Sequence, residues 1–519
     1  MRPSSSGKRD IKNRTHKTLF RGGCEYNGET MSNRVPQIRV LKANNKGVNT
    51  KGDFVIYWMI AYRRTRWNYS LQRAVDWAGD LGKPLVILEA LRSAYPWASD
   101  RLHRFVMDGM VDNARQTSRY GVLYYPYIEL KADAGKGLLT ALAERACVIV
   151  TDDFPAFFIP RMIRSASRKL PVLIEQVDSN GILPMRAADR VFTTAYAFRR
   201  FLQKTLPDYL FEHPEAEPLK GARLPRVTDL PKKISKRWPK ATAQLLKGGA
   251  KMLASIPIDH DVRVVDQRGG FLQARQILET FVEERLSSYI EKRNQPEEEG
   301  PSGLSPYLHF GHISAHQIFH AIMEKEEWFF DRLSDKANGR RSGWWGMGET
   351  AEAFLDQLIT WRELGFNMCW QRDDYDRYES LPAWALKTLK IHDLDEREFI
   401  YSPAEFDEGK THDPLWNAAQ IQLQREGRIH NYLRMLWGKK ILQWTATPRK
   451  ALKVMIELNN RYALDGRDPN SYSGIFWVLG RYDRAWGPER SIFGKIRYMS
   501  SKNTARKVRV KNYIKMYAP

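Results

Sequence analysis

Trp437 and Trp444 stand seven residues apart in LRMLWGKKILQW, residues 433–444. Seven residues are two helical turns, so a helix here puts both indoles on one face, roughly 10 Å apart along its axis. An indole fills a core, but it also stacks on bases and flavins and can give up one electron. Core packing is the common fate of such a pair; a path for electrons is the sharper reading. Other stretches carry ligand-holding chemistry. SGLSPYLHFGHIS (302–314) sets small and hydroxyl residues ahead of Pro306. There Ser302 and Ser305 can donate hydrogen bonds, and backbone amides at a helix start can face a phosphate. THDPLWNAAQ (411–420) reads as a helix capped by Asp413, with Pro414 in its first turn and Trp416 just inside. ELNNRYALDGRDPNSYSGIFW (457–477) joins two asparagines and an Asp-Gly turn to an apolar run ending in Trp477.

These residues need a scaffold, and the chain supplies two kinds. Between Asp53 and Asp178 apolar runs such as DFVIYWMI, KPLVILEAL, GVLYYPYIEL, ACVIVTDDF and LPVLIEQVD alternate with amphipathic stretches. Near-continuous apolar strands separated by helices predict a doubly wound, mostly parallel sheet. No GxGxxG follows the first strand, which disfavours ordinary dinucleotide binding there. Residues 201–265 are rich in Pro, Lys and Arg and read as a connector. From 266 to 519 helical periodicity dominates, so a large all-helical domain is expected, with a loop excursion at 331–350. The domains expected are thus a basic disordered tail (1–50), an α/β domain (51–200), the connector, and the helical domain.

The chain has 519 residues and a formal net charge of +23. Twelve Lys/Arg against three Asp/Glu fall within residues 1–51. The rest stays basic, which suggests a polyanionic partner, nucleic acid first. Three scattered cysteines, Cys24, Cys147 and Cys369, form no CxxC pair. That points to a reducing compartment, cytoplasmic or nuclear, without disulfides, and no ligand cluster suggests a metal. No apolar run approaches 18 residues, so no membrane span is expected.

Taken in order, LSPYLHFGHIS, LITWREL, THDPLWNA, IHNYLRMLWGKKILQW, NNRYALDGRDPNSYSGIFW, DRAWG and GKIRYMS resemble the photolyase/cryptochrome family, specifically the class II cyclobutane pyrimidine dimer photolyases. The resemblance spans roughly residues 50–515 and is densest over 405–500. It implies an N-terminal α/β domain, sometimes holding an antenna pigment, and a helical domain enclosing FAD. It also implies a carbon–carbon lyase activity: blue light drives an electron from reduced FAD to a flipped-out dimer in UV-damaged DNA.

Residue by residue, Tyr289, Ser302, Gly303, Leu304 and Ser305 match the first FAD-contact region. Arg434 and Asp465 match a charged pair beside the flavin ring, and Asn459 matches the asparagine facing flavin N5. Trp437, Trp444 and Trp416 match the tryptophan chain that re-reduces oxidised flavin. Trp361 and Trp477 match walls of the dimer pocket, with Met435 as a soft contact beside it. Arg484 and Trp486 match the element that enters the emptied DNA bubble, and Lys495, Arg497 and Arg293 are candidate phosphate contacts.

One position departs from the pattern. Family members that repair cyclobutane dimers carry glutamate one turn before WRE, where LDQLITW has Gln357. Glutamine keeps an N–H donor but has no carboxylic proton to offer where charge develops on the dimer. Two expectations stay open, reduced repair or a shift toward the (6-4) product. A cryptochrome-like blue-light receptor is the alternative from another class, disfavoured by the dimer-pocket residues. The expected assembly is a monomer. The α/β half departs more from the family, and MRAADRVFTTAYAFRRF (185–201) leaves a deazaflavin-type antenna undecided.

Overall fold

The computed structural model describes residues 34–518; Cys24, Met31 and most of the expected basic tail lie outside them. Six strands form one sheet in the order β1-β6-β5-β2-β3-β4. They are β1 (Val40–Lys42), β2 (Phe54–Met59), β3 (Leu85–Leu91), β4 (Leu123–Ile128), β5 (Ala146–Asp152) and β6 (Ile174–Val177). Every neighbouring pair is parallel except β1 with β6. β2 and β5 are buried along their whole length, as strands covered on both faces must be. Helices α1 (Tyr69–Asp80), α2 (Asp100–Thr117), α3 (Leu138–Ala143), α4 (Ile159–Lys169) and α5 (Ala195–Thr205) accompany the sheet. α1 starts where Asn68 accepts from the amides of Ser70 and Leu71. The Asp152 carboxylate, at the end of β5, accepts from three successive amides, Ile60 to Tyr62, at 2.8–2.9 Å. The turn leaving β2 is thereby held.

Two expected boundaries are corrected. Residues 34–50 are not tail: β1 pairs with β6, and Arg39 is buried, donating to the carbonyls of Gly181 and Ile182. A three-residue edge strand is too short to show periodicity. The expected connector is packed against the sheet domain. The Ala241 amide donates to the Pro126 carbonyl in β4 at 2.8 Å, and Trp238 Nε1 to the Ala134 carbonyl at 3.0 Å. Its Pro- and Lys-rich composition signals irregular backbone rather than absence of packing.

Beyond Gly270 the regular elements among the described residues are all helical. Two stretches, Phe281–Arg285 and Asp356–Trp361, widen to π-helix. The WRE tripeptide docks the helical domain onto the loop after β6. Arg362 donates to the Asn180 carbonyl at 2.8 Å, and the Glu363 carboxylate accepts from the amides of Ile182 (2.7 Å) and Leu183 (3.1 Å). Burial pushes the Glu363 carboxyl up to about 7, against the pull of Arg362 and those two amides.

Candidate active site

The helix Asn431–Trp444 is the spine of the site. Trp416 enters from Pro414–Glu426, whose start is fixed by Asp413 accepting from the amides of Leu415 and Trp416. The Trp416 ring lies parallel to that of Trp437, centroids 6.5 Å apart, and edge-on to Trp444 at 6.1 Å. Trp416 therefore stands between the other two, and the same-face pair of the sequence pattern is bridged by a third ring from another helix. All three indoles are buried. Trp416 Nε1 donates to the Trp437 carbonyl and Trp437 Nε1 to Gln420 Oε1, each at 3.0 Å. Outward from Trp444 the sequence reading misses Tyr401, 5.7 Å away, whose hydroxyl shares a hydrogen bond with His412 Nδ1 at 2.6 Å. His412 is exposed, so the row of rings reaches the surface.

Arg434, three residues before Trp437, pairs with Asp465 at 3.1 Å. Burial alone would raise the Asp465 carboxyl; Arg434 and a hydrogen bond from Ser305 outweigh it and hold the carboxyl below its usual range. Two distant motifs, LSPYLH and LDGRDP, thus meet at one carboxylate. The turn before Ser305 needs Gly303, whose φ of +76° is left-handed. Arg434 Nε is buried without a partner among the described residues. Asn459, buried at the end of Pro448–Tyr462, donates through Nδ2 to Ser471 Oγ (2.9 Å) and Asn460 Oδ1 (3.2 Å). Its Oδ1 is the atom left to accept. Tyr289 packs edge-on to Phe281 and Phe354, and Arg293 lies over the Tyr289 ring at 5.3 Å. The structure thus places Arg293 with Tyr289, on the candidate flavin side.

A second group assembles across Pro469–Val478 and Arg362–Gln371. A Cβ at Gly365 would sit 2.8 Å from the Pro469 carbonyl and from Ser473 Oγ, so only glycine permits this approach. It brings together the helices bearing Trp361 and Trp477, both half-buried. Met435 approaches the same helix at Gly474. Gln357 and Trp361 lie in the π-helical stretch, a distortion frequent at functional sites. The stretch is anchored by a buried ion pair between Asp356 and Arg199 of α5 at 2.7 Å. Among the described residues the half-buried Gln357 carboxamide has no hydrogen-bond partner.

Asp483, unassigned from the sequence, organises the rest. It accepts from Arg497 (3.0 Å) and from Trp486 Nε1 (3.1 Å). Arg484 lies over Trp486 at 4.6 Å, and Arg497 lies over both Trp486 (4.1 Å) and Trp477 (5.2 Å). The Trp486 amide donates to the Lys495 carbonyl, and Lys495 Nζ is 3.6 Å from Glu489. Separately, a cavity of about 350 Å3 opens at the C-terminal ends of the sheet strands. Trp58, Tyr95, Tyr127, Phe157 and Met162 line it, and His309 and Arg467 close it from the helical domain.

A mostly parallel sheet backed by a helical domain that encloses a tryptophan row and an Arg–Asp pair defines a photolyase-type fold. Among solved structures, a bacterial class III photolyase from Agrobacterium tumefaciens aligns with TM-score 0.63 over 90% of this chain and 86% of its own, at 17% identity. No family model matches the sequence. The deoxyribodipyrimidine photo-lyase of Methanothermobacter thermautotrophicus is 33% identical over 92% of this chain and 97% of its own length. Those of Arabidopsis thaliana (34%; 93% of each chain) and Potorous tridactylus (30%; 89% of this chain, 81% of its own) agree. The chain belongs to the deoxyribodipyrimidine photo-lyase family.

Proposed function

We propose that this chain is a light-driven DNA repair enzyme that splits cyclobutane pyrimidine dimers, with FAD in its helical domain. The observation that carries this reading is the sorting of tryptophans around one helix. A buried row leads from Arg434 to the surface, while Trp361 and Trp477 form a half-buried wall beside an unpartnered Gln357.

The residues fit a flavin. The partnerless Arg434 Nε beside Asp465, the left-handed turn at Gly303 and the Asn459 oxygen offer a donor, a close approach and an acceptor. Tyr289, Ser302, Leu304 and Ser305 complete the holding set. Because Asn459 Nδ2 is engaged by Ser471, its carboxamide favours a protonated ring nitrogen, as in reduced flavin. Held by Arg434, Asp465, Asn459 and the Ser302–Ser305 turn, reduced FAD would supply the light-driven one-electron chemistry that splitting a dimer needs.

The chain's own residues do the rest. Trp361 and Trp477 hold the flipped pyrimidines by ring faces and exclude water, with stacking worth roughly 1–3 kcal/mol per base. The Gln357 N–H donates to a pyrimidine carbonyl as negative charge develops there. Arg484 and Trp486 occupy the space the flipped bases leave, and Arg497 and Lys495 face the backbone phosphates. Trp437, Trp416 and Trp444 pass electrons inward one ring at a time. The strand-end cavity suits an apolar antenna pigment of the deazaflavin kind: it is aromatic-lined, and Arg467 in its wall is two residues from Asp465.

The test uses photoreduced protein with two oligonucleotides, one carrying a thymine dimer and one a (6-4) product, under blue light with a dark control. Light-dependent loss of the thymine dimer is the expected result. Gln357→Glu is expected to raise the repair yield by up to about tenfold, the equivalent of about 1.4 kcal/mol. Repair of the (6-4) product alone would reassign the substrate, and repair of neither, with flavin bound and photoreducible, would favour a receptor.

A further inference from the structure

Lys439 is a cation that the repair reading does not use. It lies between Trp437 and Trp444 in sequence, and its side chain is fully buried. Its Nζ donates to the Val478 carbonyl at 2.6 Å, at the C-terminal end of the helix that carries Trp477. The same Nζ lies 5.0 Å from the centre of the Trp477 ring, the ring that Arg497 covers at 5.2 Å. A helix C-terminus and an aromatic face both favour a cation. Neither supplies a full negative charge, and burial of an unpaired ammonium is costly.

We propose that Lys439 is a positioning residue for lesion recognition: as an ammonium it holds the Trp477 ring and its helix end in place, and DNA seated over Trp477 draws a proton onto it. The inference rests on the assignment of Trp477 to the dimer pocket. In the free protein burial holds the amine down to about 7; Asp483 pulls it up and Arg497 pushes it further down. These are the charged groups that act on it, and Asp483 is already engaged by Arg497 and Trp486. A polyanion arriving over Arg497 and Trp477 changes this balance. Its phosphates answer the Arg497 charge and add negative potential of their own, so the bound-state amine holds its proton to higher pH. Below about pH 7 the free protein already carries that proton, and this source adds no pH dependence. Above it, binding must take up a proton, so affinity falls as pH rises, approaching tenfold per unit.

The experiment measures binding of a thymine-dimer oligonucleotide to the flavin-loaded protein by calorimetry. At about pH 8, two buffers of different ionisation heat report the protons taken up. The expected result is a substantial fraction of one proton for the native protein. Lys439→Met should take up none and bind with a flat pH profile. Lys439→Arg, charged throughout, should also be flat but should keep the tight low-pH affinity. Absence of uptake in the native protein, or uptake that persists in Lys439→Met, overturns the proposal. The native measurement stands even if a variant folds poorly. Trp477→Phe is measured alongside: if it keeps the full preference for dimer over undamaged DNA, the pocket assignment fails, whatever the proton count.

Discussion

Trp416 and Trp477 are the same residue type on two helices that both pack against Asn431–Trp444, and their surroundings separate them. Trp416 is wholly buried, stacked on another indole, with its N–H on a neutral carbonyl. Trp477 is half-buried, and two cations lie over its ring. A positive charge on an indole is eased by a neighbouring ring and a hydrogen-bond acceptor, and resisted by nearby cations. The first environment suits electron loss. The second suits an intact ring face that meets a base near phosphate. The difference teaches that these two tryptophans are told apart by their ring and charge neighbours together; one cation alone does not decide, since Lys440 Nζ lies 5.0 Å from the Trp444 ring within the row.

That contrast can be broken most severely at Trp416. Trp416→Phe removes the middle of the row, so photoreduction of oxidised flavin should slow by well over tenfold, about 1.4 kcal/mol per decade. Repair by chemically reduced enzyme should stay near native, and flavin absorbance under blue light reads the difference. If both activities fall together, the row serves packing alone. Trp477→Ala is the mirror experiment. It should weaken binding of dimer DNA by roughly 10- to 100-fold, from a stacking loss of about 1–3 kcal/mol, and leave photoreduction unchanged.

Smaller effects sharpen the picture at its edges. Arg484 is exposed and its guanidinium has no carboxylate partner among the described residues, while that of Arg497 is tied to Asp483. Arg484→Gln should therefore reduce the slope of log affinity against log salt by about one, more than Arg497→Gln does. The measurement is a salt titration of binding, and equal slopes would remove the distinction. The smallest effect concerns the domain contact at WRE. The folded-state Glu363 carboxyl lies near 7, above its ordinary 4.5, so the native state favours its protonated form. Its contribution is fully present below pH 4.5 and is lost as pH rises through 7. Thermal melts of Glu363→Gln should show a shallower loss of stability across that window than the native protein.

Much of the fold was legible because its signals are local. The β2, β3, β4, β5 and β6 strands are apolar runs of the length a covered parallel strand needs, and Asp413 and Pro414 mark their helix start without tertiary help. β1 was not legible, since an edge strand of three residues has no period to read. Nor was the packing of residues 201–265, because proline-rich composition reports backbone type and not what the backbone touches. In the site, motif order brought out the residues, but not who stands next to whom. Asp483, Tyr401 and Lys439 acquire meaning only from partners that other segments bring to them.

By itself the sequence determined the two-part architecture, the basic charge and the residue types of the site, because periodicity, capping and charge are properties of neighbours along the chain. Only the tertiary structure decided that Trp416 stands between Trp437 and Trp444 and that Ser305 and Arg434 share Asp465. It alone decided that a buried lysine lies over the ring of Trp477. Distance between rings, desolvation and the sum of nearby charges depend on chain segments tens to hundreds of residues apart. No spacing within one segment encodes them.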